Sequence, residues 1–334
     1  MLVHRWHCRR RPLGLSIVVL AAAALLAACG NEDAGGGSPE ANQAAAASPV
    51  KVVATTTQLG DIVRRIGGAG ADVTQILRPN TDPHDYEPRP SDVAATAAAR
   101  VVFQSGNNLD AWATQIVEQA GGHQRTVVLA DSNVDRVAGE ARGPEASRYD
   151  PHWWHDPTNV EAAIPVIRDA LARANPDAKA LFDRNAAAYL ARVRTLDAGI
   201  RRCFDQVPRA DRKLVTDHDA FNYFARRYAI TVIGAVIPSQ TTRAQASAGE
   251  VAALVKTIRR EHVKAVFPET SVNAKLAKAI ARASGASADY TLYGDTLGPK
   301  GSPGATYLSM ERANADAMMR GFTGGARNCT ITGL

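Results

Sequence analysis

The chain is poor in three things: long apolar runs, net charge and cysteine. Its most apolar run, residues 13–28, has no charged residue and is 16 residues long. That is short of the ~20 residues a membrane-spanning helix needs, so a retained transmembrane helix is not favoured. Residues 1–12 ahead of it carry four arginines and no acid. A basic head before a short apolar stretch is the pattern of a secretory signal, removed in the mature protein. Without residues 1–28 the chain keeps 35 basic and 33 acidic residues, so the formal charge of +6 falls to +2. The remaining sequence has no basic stripe, which speaks against a nucleic-acid partner. Of the four cysteines, Cys8 leaves with the signal. Cys203 and Cys329 stay as an even pair in an oxidising compartment. A disulfide is the default expectation for them, and two separate buried thiols the alternative.

The apolar run ends in Leu26-Ala27-Ala28-Cys29. This resembles the bacterial lipobox, which implies cleavage before Cys29 and acylation of its thiol. A plain signal peptide with a chance cysteine is the other reading. Residues 30–49, GNEDAGGGSPEANQAAAASP, are Gly-, Ala-, Ser- and Pro-rich without hydrophobic periodicity. They read as a flexible tether. The expected product is an extracytoplasmic protein, lipid-anchored to the bacterial cell membrane.

Beyond the tether, short β-branched runs at 51–56, 73–78, 100–105 and 126–130 alternate with helix-like segments at 59–68, 91–99 and 109–122. The pattern returns with strands at 213–217, 231–236, 264–269 and 288–293 and helices at 220–228, 247–262 and 272–285. Such alternation means parallel βαβ units. Between the halves, Phe182, Ala186, Tyr189, Val193, Leu196, Ile200 and Cys203 recur every three or four residues. They predict one helix over 176–208, about 45 Å long at 1.5 Å per residue. The fold class is therefore α/β, with an N-terminal lobe at 50–175, a long linking helix at 176–208 and a C-terminal lobe at 209–334.

The chemistry gathers in histidine. His84 follows the strand at 73–78, His218 follows 213–217, and Asp295 follows 288–293. Ligand sites in open α/β sheets lie beyond the carboxyl ends of parallel strands, so these residues converge on a cleft between the lobes. The segment DPHWWHDP, residues 150–157, would add His152 or His155. Three imidazoles and one carboxylate suit a borderline divalent metal such as zinc. With Zn²⁺ bound, such a site carries a formal +1. Asp85, Asp217 and Asp219 are candidates to orient the rings from behind. His123 and His262 sit at helix ends and read as exposed.

Residues 52–112, with Pro83-His84-Asp85-Tyr86-Glu87-Pro88 followed by Ser91-Asp92, closely resemble the first lobe of the cluster A-I solute-binding proteins. DPHWWHDP, VTDHDAFNYFARRY (215–228) and LYGDTLGPKGSPGATYLSMERAN (292–314) resemble that family's later ligand segments, in the same order. The resemblance implies a metal site of His84, His152, His218 and Asp295. It also implies delivery of the ion to an ABC permease and its ATPase by a monomeric protein. His at the third position points to Zn²⁺, with Mn²⁺ as the alternative. His155 stands where the family has an aliphatic or aromatic residue. If the segment turns helically, His155 shares a face with His152 and becomes an outer partner or spare ligand. Residues 131–149 contain no histidine, so the His-rich loop of many zinc members is missing.

Two other functions compete. A zinc hydrolase needs an open metal position, which Asp295 would close. The chain has no His-Glu-x-x-His pair, and Glu269, at the end of the strand at 264–269, is thin evidence for a general base. A surface adhesin suits a lipid anchor but leaves four convergent ligand residues unexplained.

Overall fold

A computed structural model describes residues 48–143 and 146–334. The signal segment 1–28, Cys29 and the tether through residue 47 lie outside the described residues. Four strands, β1 (Val50–Ala54), β2 (Ala71–Gln75), β3 (Val101–Gln104) and β4 (Arg125–Val128), form a parallel sheet in the order β2-β1-β3-β4. Helices α1 (Thr57–Gly67), α2 (Pro90–Ala97) and α3 (Trp112–Gln119) make the crossovers. On α1 the apolar set Leu59, Ile62, Val63 and Ile66 is fully buried, as its helical spacing requires.

The chain crosses to the second lobe through α4 (Pro157–Ala174) and α5 (Lys179–Phe204). No expected segment covers the helix α4, which carries Pro157 and an interior Pro165. Pro157 in fact occupies the first position, where no N–H is needed, and the Asp156 carboxylate caps it by accepting from Thr158 N at 2.8 Å. The long helix is shorter than the expected 176–208. A separate 3-10 turn, Pro176–Ala178, precedes it, and it ends at Phe204 after 26 residues. All seven of its periodic apolar positions are buried. It packs on α1 and α4 of the first lobe and on α6 (Asn222–Tyr228) and α9 (Tyr307–Thr323) of the second.

The second sheet has two regular strands, β5 (Lys213–Thr216) and β6 (Thr231–Ala235), paired in parallel. The stretches 264–269 and 288–293 extend it only through single parallel bridges, Thr216 to Phe267, Ala265 to Ser287 and Glu269 to Leu292. Pro268 interrupts the ladder because it has no N–H to donate. Helices α6 (Asn222–Tyr228), α7 (Ala248–Arg260), α8 (Lys275–Ser284) and α9 (Tyr307–Thr323) complete the lobe. The sequence reading also lacked α9. Cys203 at the end of α5 is disulfide-bonded to Cys329, with Cα atoms 5.4 Å apart. Beside the bridge Ile331 lies so close to Gly199 that an added Cβ would sit 2.5 Å from it. Among the described residues no helix is long and apolar enough to cross a membrane.

Candidate metal centre

Four loops bring His84, His152, His218 and Asp295 together. Each residue offers a donor atom, and these atoms all lie within 4.8 Å of one another. The Nε2 atoms of His152 and His218 are 3.3 Å apart, and each is 3.3 Å from an oxygen of Asp295. His84 Nε2 is 3.8 Å from Asp295 Oδ2. All four side chains are buried.

The far side of each ring or segment is held by another group. Asp150 Oδ1 accepts from His152 N at 2.9 Å and lies 2.7 Å from its Nδ1. The other oxygen of Asp150 accepts from Asn222 Nδ2 at 3.1 Å. Glu269 Oε1 accepts from His218 N at 3.1 Å and meets its Nδ1 at the same distance. Both rings therefore present Nε2 to the centre, since a carboxylate occupies Nδ1. Asp82 accepts from His84 N at 2.9 Å and from the Thr242 hydroxyl, in the other lobe, at 2.6 Å. The Asp295 loop is gripped from α1, where Gln58 Nε2 donates to Asp295 O at 2.7 Å and Thr57 Oγ1 accepts from Leu297 N at 2.8 Å.

The electrostatics favour a cation. Burial opposes a charge on the His152 ring, but Asp150 and Asp295 outweigh it and push the ring up to about 9. Burial likewise opposes charge on His218, yet Glu269 and Asp295 hold it well above the usual imidazole range. Burial would raise Asp295, but the facing His218, His152 and His84 hold it well below the usual carboxylate range. Burial and the Glu269 charge push Asp217 up to about 7.

Residues 52–321 match the family described as zinc-uptake complex component A, periplasmic. The chain belongs to this family. It is 30% identical over 274 residues to the manganese-binding lipoprotein MntA of Halalkalibacterium halodurans, covering 82% of this chain and 89% of that protein. It is 30% identical over 272 residues to the iron-binding protein YfeA of Yersinia pestis, covering 81% and 86%. The solved periplasmic zinc binding protein TroA from Treponema pallidum superimposes with a TM-score of 0.75 at 26% identity, over 82% of this chain and 99% of that one. This family member is an extracytoplasmic, metal-binding component of an ABC transporter, not an enzyme.

The structure also places the remaining candidates. Glu269 backs the His218 ring, and Asp217 supports Glu269 by accepting its backbone N–H at 2.7 Å. Asp219 lies near Asp150 and Asn222 and touches no ring nitrogen of the four. Asp85 is exposed. His155 does not face the cluster. Its Nδ1 is 2.7 Å from Glu311 Oε1 on α9, and its ring stacks on Phe221. The tight 3-10 turn Trp153–His155 sends the two histidines in different directions. Trp153 and Trp154 are buried in the core. His123 and His262 are exposed. Sequence reasoning missed Asp150, Asp82, Gln58 and Asn222. The signal for the first two was present, because Asp-Pro-His occurs twice, at 82–84 and 150–152. An Asp two residues before an N–H is well placed to accept from it.

Proposed function

We propose that the protein captures Zn²⁺ outside the cytoplasm through His84, His152, His218 and Asp295 and hands it to a membrane permease driven by an ATPase. The carrying observation is the spacing of the donors. Zinc–ligand bonds of ~2.0–2.1 Å put the corners of a tetrahedron about 3.3 Å apart. The Nε2 atoms of His152 and His218 are 3.3 Å apart, each is 3.3 Å from one of the two Asp295 oxygens, and the four donors all lie within 4.8 Å of one another. Three imidazoles and one carboxylate match zinc better than manganese, which favours oxygen donors. His84 borders a surface cavity of about 290 Å³ with Tyr86, Trp112 and Arg243. The ion enters and leaves on that side. Acylated Cys29 and the tether through residue 49 hold the monomer near its permease, which must separate the ligand loops to release the ion.

The manganese and iron named for relatives favour a second reading, in which the same four residues carry Mn²⁺ or Fe²⁺. Metal analysis of protein purified without added metal, followed by competition between zinc and manganese, decides between them. Zinc retained against manganese is the expected result. Preferential manganese binding overturns zinc as the cargo, and no divalent ion bound at all overturns the site.

A further inference from the structure

The buried pair His155 and Glu311 takes no part in the metal centre, yet it ties together the backs of three ligand segments. His155 ends the turn that begins at His152. Its ring lies 4.3 Å from that of Phe221, nearly parallel to it, and Phe221 is three residues past His218. Glu311, 2.7 Å from His155 Nδ1, stands on α9, the helix that follows the Asp295 loop. One turn earlier on α9, Tyr307 donates its hydroxyl to Trp154 O at 2.9 Å. Residues four apart share a helix face, so α9 grips the 153–155 turn at two points. Trp154 Nε1 in turn donates to Gly294 O at 3.3 Å, next to Asp295.

We infer that the His155–Glu311 pair is a positioning device: it fixes the turn that aims His152 relative to the segments carrying His218 and Asp295. This rests on the metal reading given above. Stability alone does not account for the pair. Both residues are fully buried, and an apolar pair of similar volume often holds a core as well or better than a buried polar one. What the polar pair adds is direction, because a hydrogen bond fixes an angle that an aliphatic contact leaves free.

The test uses the double variant His155→Phe/Glu311→Leu, which keeps a ring against Phe221 and leaves no carboxylate buried without a partner. Glu311→Gln, which weakens the hydrogen bond without emptying space, is the conservative comparison. Zinc affinity by chelator competition, zinc dissociation rate, thermal midpoint and the visible spectrum of the Co²⁺-loaded protein are measured for each. The double variant is expected to keep its thermal midpoint, to bind zinc roughly 10-fold or more weakly, as outer groups of metal sites do, and to show altered Co²⁺ bands. Glu311→Gln is expected to fall between it and the wild type. Wild-type affinity and spectrum in both variants overturn the inference, as they do in Glu311→Gln alone if the double variant does not fold. A wild-type protein that binds neither Zn²⁺ nor Co²⁺ overturns the metal reading instead, so the two failures are distinct.

Discussion

His152 and His218 face each other through their Nε2 atoms at 3.3 Å, and each faces an oxygen of Asp295 at the same distance. In the metal-free protein this arrangement attracts protons. His152 is pushed up to about 9, so its ring is largely protonated at pH 7, and His218 is raised in the same direction. A metal needs the same lone pairs, so loading must expel protons. Affinity therefore rises as pH climbs toward 9 and falls on acidification. Calorimetric titration with zinc at pH 7, in two buffers of different ionisation enthalpy, is expected to show about one proton or more released per ion. Identical heats in both buffers would contradict this.

Removing a ligand and removing its backing group should differ in size. His152→Ala deletes a donor. Asp150→Asn leaves the donor but removes the carboxylate that fixes its ring. The second change is expected to weaken zinc roughly 10- to 100-fold, and the first by more than that range. Equal losses in the two variants, measured by chelator competition, would mean that the Asp150 contact does more than orient the ring.

Gly294 makes the Glu269 contact possible. A Cβ at this position would lie 2.1 Å from Glu269 Oε2, far inside any tolerable contact. Gly294→Ala must push Glu269 away from His218, although the substitution touches no ligand. Its zinc affinity is expected to fall to the level of Glu269→Gln, roughly 10- to 100-fold below wild type. The double substitution should lose little more than either single one, since neighbours acting through one contact are not additive.

The parts of this molecule that rest on local pattern were legible in the sequence. The apolar spacing of α1 and α5 and the β-branched runs gave the elements, and ligand-type residues after strand ends gave His84, His218 and Asp295. Other features depend on contacts that sequence distance hides. Gln58 meets the Asp295 carbonyl 237 residues away, and Glu311 meets His155 across 156. His155 would share a face with His152 only in an α-helical segment, and the tight 3-10 turn Trp153–His155 does not keep that ring spacing. No expected segment covers the helix α4, whose packing buries Val160, Ile164 and Ile167.

The bridge between Cys203 and Cys329 spans 126 residues, and it ties the C-terminal tail to α5. Closing a loop of that length is worth about 5 kcal/mol in the chain-entropy account, with ~2–5 kcal/mol typical for loss of a native bridge. Cys203→Ser/Cys329→Ser is expected to lower the thermal midpoint by this route. Neither cysteine belongs to a ligand segment, so zinc affinity well below the new midpoint should stay near wild type. A parallel loss of affinity would show that the tail supports the site.

Loading should tighten loops rather than swing lobes. The helix α5 packs on elements of both lobes, and the described residues, 48–143 and 146–334, belong to one compact unit. The cleft is also stitched directly. Asp82 accepts from Thr242, Glu140 accepts from Gln240 N at 2.6 Å, and Arg226 pairs with Asp135 at 2.7 Å. A hinge needs a few connecting residues free to absorb large backbone rotations, and a continuous helix with crossing bonds provides none. The segments that a bound ion would tighten are those carrying His218 and Asp295, the loops at 217–221 and 294–297. Scattering curves of metal-free and zinc-loaded protein are therefore expected to give nearly the same radius of gyration. Amide exchange should slow on loading in those two loops, because local opening is what the metal suppresses. A large contraction on loading, with exchange unchanged in the loops, would place the motion in the lobes and not in the ligand segments.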